Sequence, residues 1–104
     1  MTHLTDANFQ ASVSSGTILV DFSAAWCGPC RILATSLDKA ADKMPEVQIV
    51  KMDIDECPET ATAQLITAVP TMKLFKDGKV LWTYTGAMAA DKIVESVKKA
   101  LEAA

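Results

Sequence analysis

The sequence contains little of what many small proteins use to stabilise their fold or to attract a charged partner. Its 104 residues include only three cysteines and one histidine, and its ten Lys and Arg residues form no dense run. The net charge of -3 gives no general attraction to nucleic acid or to an anionic membrane surface. We therefore expect neither of these as a partner.

Long apolar runs and nucleotide-binding motifs are missing as well. No apolar run approaches the ~20 residues that cross a bilayer, and the first ten residues, MTHLTDANFQ, lack the character of a signal segment. Because no Gly-rich nucleotide fingerprint occurs, we expect no bound cofactor. Half of the residues are apolar, which suffices for one core. We expect a single cytoplasmic domain spanning residues 1–104.

Apolar and β-branched segments predict an alternation of strands and helices in the first half of the chain. TILVDFS (17–23) and VQIVKMDID (47–55) are typical of buried strands. Between them, apolar residues recur at the spacing of one helix face, and LTDANFQASVSS can supply an earlier helix. A strand, a helix and a strand in this order predict a parallel pair. The residues of the apolar helix face are Leu33, Leu37, Ala40, Ala41 and Met44.

The second half predicts a short helix, a hairpin and a final helix. ETATAQLI favours a helix, and the strands TMKLF and KVLWTYT flank Asp77-Gly78, a pair typical of tight turns. DKIVESVKKALEAA closes the chain as an amphipathic helix. A short first strand would complete the order βαβαβαββα. The sequence therefore predicts the α/β class with a mixed sheet.

Two cysteines, Cys27 and Cys30, stand three residues apart in WCGPC. Because Pro29 suits the first turn of a helix, we expect the pair at a helix N-terminus. Unpaired backbone N–H groups there favour a thiolate, which makes Cys27 the candidate nucleophile. Cys30 is close enough to resolve a disulfide formed by Cys27. Gly28 would let the first turn loosen when the two sulfurs join.

A metal site and a structural disulfide are the alternatives for this cysteine pair. A zinc site would need about two more ligands. His3 and Cys57 are the only other soft candidates, and we expect them at opposite ends of the sheet. We therefore expect no bound metal. A structural disulfide is also disfavoured, because the cysteine count is odd and a reducing compartment opposes it.

Several segments together resemble the thioredoxin family over essentially the whole chain. They are VDFSAAWCGPCR, DID, AVPT, LFKDG and YTGA, and they occur in the family's order and spacing. The resemblance implies a thioredoxin fold, with a central mixed sheet of four to five strands flanked by about four helices. It implies a dithiol–disulfide oxidoreductase that reduces target proteins and is regenerated by a separate thioredoxin reductase. The alternative is a redox-independent binding or regulatory subunit with the same fold.

The resemblance also implies roles for residues outside the cysteine pair. Asp21 matches a buried carboxylate that exchanges a proton with Cys30, and Lys51 matches a lysine that tunes this carboxylate. Pro70 matches a cis-proline. From the residues alone, Asp21 fits an exposed strand position equally well, and Lys51 fits an ordinary surface lysine.

A shallow apolar surface for target disulfides is implied around Cys27. Its predicted members are Trp26, Gly28, Pro29, Val69, Pro70, Thr71, Gly86 and Ala87. Pro29 stands where disulfide isomerase domains usually have His, which favours a reductase. Cys57 matches an extra cysteine that can be regulatory in some relatives, and a half-exposed, inert cysteine is the simpler interpretation. We expect a monomer, with a weak or disulfide-linked dimer as the alternative. The family's usual residues are missing at Ser23, Thr35 and Gln64.

Overall fold

A computed structural model describes residues 1–104 as five strands and four helices. The predicted α/β class with a mixed sheet is confirmed. The elements are β1 (Thr2–His3), α1 (Phe9–Val13), β2 (Thr17–Ser23), α2 (Gly28–Lys43), β3 (Gln48–Asp53), α3 (Pro58–Ala63), β4 (Thr71–Lys76), β5 (Lys79–Thr85) and α4 (Ala90–Ala103).

The sheet has the order β1-β3-β2-β4-β5, so β2 lies at its centre. β2 runs parallel to β3 and antiparallel to β4, and β5 is antiparallel to β4. The central position explains why six of the seven residues of β2 are buried. The carboxyl ends of β2 and β3 meet at the same edge of the sheet.

The two faces of the sheet support separate cores. Alternate residues of β2, such as Val20 and Phe22, pack with Phe9 of α1 on one face. The intervening residue Leu19 packs with α2 and α4 on the other face. Asp21 follows Leu19 by two positions and therefore lies on the α2 face.

The buried stripe of α2 begins at the second cysteine of the motif. Its members recur at helical spacing, at Cys30, Leu33, Leu37 and Ala40. Cys27 is the N-cap residue of the helix, and a proline stands in the first turn. The predicted position of the cysteine pair at a helix N-terminus is thus confirmed.

The predicted hairpin forms with a turn of two residues. Asp77 and Gly78 both have positive φ angles, of 49° and 87°, as a type I′ turn requires. The Asp77 carboxylate also accepts a hydrogen bond from the Gly16 amide at 2.8 Å. This contact fixes the turn against the start of β2.

α3 is shorter than the sequence predicts, because it ends at Ala63 rather than continuing through Ile66. The Ile66 amide donates to the Ala61 carbonyl and the Leu65 amide donates to the Thr62 carbonyl, which is a Schellman ending. Leu65 has a φ of 58° where glycine is usual. The helix therefore ends without the glycine that usually marks such an ending.

No helix in the structure is both long and apolar enough to cross a membrane.

Candidate active site

Cys27 and Cys30 are joined by a disulfide across the first turn of α2, with their Cα atoms 5.3 Å apart. Both residues are buried, and they pack with Ala24, Ile54 and Val69. The Cys30 backbone N–H donates a hydrogen bond to the Cys27 sulfur at 3.2 Å. In the dithiol state, the same N–H would stabilise a thiolate on Cys27. The start of α2 therefore favours a thiolate on Cys27 rather than on Cys30.

Asp21 is fully buried on the strand that leads to the cysteine pair. Neither of its carboxylate oxygens has a hydrogen-bond partner in the protein. Burial raises the pKa of Asp21 to about 6, and the positive charge of Lys51 partly opposes this rise. Of the two interpretations left open by the sequence, the buried carboxylate is confirmed and the exposed one is wrong. Its role in proton exchange remains a prediction.

Lys51 occupies the position on β3 that pairs with Asp21 on β2. The two side chains form no ion pair, so Lys51 acts on the carboxylate through space rather than by direct contact. Ser23 is two residues beyond Asp21 on the same face of β2, and its buried hydroxyl also lacks a partner. A patch of unpaired polar atoms therefore lies inside the apolar α2 face.

The segment formed by residues 64–70, here called the Pro70 loop, brings a second part of the chain to the cysteines. The Val69–Pro70 peptide bond is cis, as the resemblance implied. Val69 packs against the cysteine cluster, and its backbone N–H and C=O make no hydrogen bond within the protein. The Pro70 carbonyl accepts a hydrogen bond from the Gly86 amide at 2.8 Å.

Most of the predicted target-binding surface is accessible. Trp26 is 67% exposed, and its indole N–H donates to the Asp55 carboxylate at 2.9 Å, which holds the ring in place. Gly28, Pro29 and Ala87 are exposed as well. A Cβ added to Gly28 would meet nothing within 4 Å, so the space above this residue is open. The binding role of these residues remains a prediction.

Thr71 does not belong to the accessible surface, contrary to the prediction. It is buried, and its hydroxyl donates to the Ala68 carbonyl at 2.7 Å and lies 3.1 Å from the Thr85 hydroxyl. Pro70 is buried too. Thr71 therefore stabilises the Pro70 loop from inside the protein and is not accessible to a target.

Cys57 is buried at the N-cap of α3, so the expectation of a half-exposed cysteine is wrong. Its thiol donates to the Leu4 carbonyl at 3.6 Å, and burial raises the pKa of the thiol. The expected distance from His3 is also wrong, because the thiol touches the residue that follows His3. No group of three or more His, Cys, Asp or Glu side chains is arranged to hold a metal ion.

Two residues near the site, Ile54 and Asp55, were not predicted to belong to it. Ile54 packs against the cysteine cluster, and its amide donates to the Ser23 carbonyl at 2.9 Å. Asp55 holds Trp26. A signal was present in the sequence: the DID segment begins at Asp53, the last residue of β3, and the ends of neighbouring parallel strands meet at one edge of the sheet.

A disulfide at the start of a helix, beside an exposed Trp26 and an unpaired Val69 backbone, defines a thiol–disulfide exchange centre. Comparison with known proteins agrees. The family model named Thioredoxin matches residues 1–99. A thioredoxin of Chlamydia trachomatis is 40% identical over 92 residues, 88% of this chain and 90% of that protein. One of Listeria monocytogenes is 40% identical over 97 residues, 92% of this chain and 94% of that protein.

Among solved structures, the oxidised form of mitochondrial thioredoxin 3 from Saccharomyces cerevisiae superimposes with a TM-score of 0.86 at 34% identity. The match covers 95% of this chain and 94% of that one. The chain belongs to the thioredoxin family. Its Cys27–Cys30 pair is the redox centre of a dithiol–disulfide oxidoreductase.

Proposed function

We propose that this chain reduces disulfides in other proteins and is itself reduced again by a thioredoxin reductase. The observation that carries the proposal is the hydrogen bond from the Cys30 amide to the Cys27 sulfur. It favours the thiolate on Cys27 and leaves Cys30 as the resolving residue. Pro29 between the two cysteines supports the reducing direction.

The reaction proceeds in two exchange steps. The Cys27 thiolate attacks one sulfur of the target disulfide, a bond forms between these two sulfurs, and the target's own S–S bond breaks. The released target sulfur takes up a proton. Cys30 then loses its proton, and its thiolate attacks the Cys27 sulfur to release the target as a dithiol. Two electrons have passed to the target, and the pair is left as the disulfide.

Asp21 is the group that we propose to accept the Cys30 proton. With a pKa of about 6, about nine in ten Asp21 carboxylates are ionised at pH 7. A base with a pKa near the working pH combines a large ionised fraction with useful basicity. Lys51 keeps this pKa from rising further. By raising the pKa of Asp21, burial makes this carboxylate a better base for the step in which Cys30 loses its proton.

Target proteins would bind as extended segments across the Pro70 loop. The free N–H and C=O of Val69 can pair with such a segment as an added strand does. Trp26, Gly28, Pro29 and Ala87 supply the surrounding accessible surface. Since Val69 packs on the cysteine cluster, a segment paired with it would present its sulfur close to Cys27.

We further propose that residues 1–104 act as one domain, in the cytoplasm, as a monomer without a bound cofactor. The electrons would come from the partner reductase. The burial of Cys57 supports the monomer, because a thiol inside the core is not available to link two chains. The net charge of -3 supports the exclusion of nucleic acid as a partner.

The Cys30→Ser variant tests the two-step reaction. It should accumulate a mixed disulfide between Cys27 and insulin, which is used here as a defined disulfide protein, because no resolving thiol remains. A non-reducing gel would show the adduct, and dithiothreitol would remove it. Cys27→Ser is the matched control and should form no stable adduct. A stable adduct in Cys27→Ser, which could form only through Cys30, would contradict the assigned roles.

A further inference from the structure

The side chain of Lys73 connects the sheet to the start of the Pro70 loop. Its ammonium group donates to the Gln64 backbone carbonyl at 2.7 Å and lies 3.4 Å from the Gln64 side-chain oxygen. Gln64 is the C-cap of α3, where backbone carbonyls lack partners within the helix. Lys73 therefore satisfies a helix end with a charged donor, which is among the stronger hydrogen bonds in proteins.

This lysine has an unusual setting for a charged side chain. It is half-buried on β4, between the buried residues Met72 and Leu74. No carboxylate forms an ion pair with it. Burial lowers the pKa of the Lys73 amine. Lysines are rarely buried without a partner. The Gln64 carbonyl at the end of α3 is the partner that offsets the cost of burying the Lys73 ammonium group.

The contact closes a ring of chain that contains the residues next to the cysteines. From Gln64 the chain runs through Leu65, which is 82% exposed, to Val69 and returns to β4. The far end of the loop is held by Thr71 and by the Gly86 amide. Lys73 is the only side chain from the sheet that donates a hydrogen bond to the beginning of the loop.

We propose that Lys73 is a positioning residue for target binding, which sets the Pro70 loop so that the Val69 backbone can pair with a protein target. The inference rests on the proposed function. It does not extend to the attack of Cys27, because Lys73 is not part of the cysteine cluster. Protein disulfides need the loop in order to bind, whereas a small disulfide needs only the sulfur of Cys27.

Lys73→Met separates these two requirements, because it retains most of the aliphatic stem and removes the donor. The KM for insulin should rise about tenfold, equivalent to the loss of about one hydrogen bond. The kcat, and the rate of reduction of a small aromatic disulfide, should change less than about twofold. Lys73→Arg should restore the KM. Lys76→Met is the matched control, an exposed lysine of the same strand whose ammonium bonds only the Thr17 hydroxyl.

Amide hydrogen exchange tests the positioning without using activity. In Lys73→Met, the amides of Leu65 and Ile66, which donate to carbonyls of α3, should exchange about tenfold faster relative to those of α4. If the parent failed to reduce insulin, the proposed function would be wrong and this measurement would still decide the role of Lys73. If Lys73→Met did not fold, Lys73→Gln would be measured in the same way.

Two results would overturn the inference. One is a variant whose loop amides exchange as in the parent. The other is an equal loss of activity toward insulin and toward the small disulfide, which would place the effect of Lys73 on the cysteines rather than on target binding.

Discussion

Asp21 alone should lower the free energy of unfolding by about 2.5 kcal/mol as the pH rises from about 4 to about 8. The folded protein holds the Asp21 proton up to a pKa of about 6, whereas the ordinary value is 3.8. Between these values the folded state binds more protons than the unfolded chain, so stability falls as the pH rises. The difference is about two pKa units, and each unit corresponds to about 1.4 kcal/mol. A small part of this total is lost below pH 4, because the ordinary pKa of 3.8 lies there.

Asp21→Asn removes this titration and keeps the shape of the side chain. The stability gap between Asp21→Asn and the parent should therefore grow by about 2.5 kcal/mol, in favour of the variant, between pH 4 and pH 8. Urea unfolding at each pH measures the gap. For a chain of this size, the midpoints should separate by about 1 to 3 M urea. The disulfide form is used throughout, so that Cys27 and Cys30 do not titrate.

Two further variants make the test specific. Lys51→Met should extend the fall in stability to higher pH, because the Lys51 charge lowers the pKa of Asp21. Asp42→Asn, an exposed change on α2, measures the effect of the same substitution without burial. A gap between Asp21→Asn and the parent that stays constant from pH 4 to pH 8 would show that folding does not raise the pKa of Asp21.

Two other predictions concern residues outside the redox centre. Leu65→Gly should raise the free energy of unfolding by about 0.5 kcal/mol, because glycine adopts a positive φ without the cost that leucine incurs; Leu65→Ala is the control, and a glycine variant less stable than the alanine variant would contradict this. Cys57 in the folded disulfide form should react with iodoacetamide at least about 100-fold more slowly than in urea, since burial both shields the thiol and raises its pKa. Comparable rates, followed by mass spectrometry, would show that the thiol is reachable.

Strand limits could be predicted well where local signals are strong. The predicted segment 17–23 coincides with β2, and the segment KVLWTYT coincides with β5. β-branched residues and an Asp-Gly turn determine such segments without help from the rest of the fold. The end of α3 could not be predicted, because Leu65 takes the backbone conformation that glycine usually marks.

The chemistry of the site could be predicted in part. The spacing of Cys27 and Cys30 with Pro29 was enough to place them at a helix start. The burial of Asp21 was not decided by the residues, because alternation in a strand assigns a residue to a face but does not say what covers that face. In the structure α2 covers it. Contacts such as Lys73 with Gln64 depend on tertiary approach and leave no local pattern.

The central position of β2 has a consequence for the assembly of the site. Cys27 and Cys30 follow β2, whereas the Pro70 loop precedes β4, and the two parts meet only where β2 pairs with β4. That pairing closes a long stretch of chain, which is entropically costly. A chain that ends directly after β3 would keep both cysteines and lose the Pro70 loop. Activity toward protein disulfides therefore requires that β2 and β4 have paired. The appearance of this activity in a newly synthesised chain would report that its folding is complete.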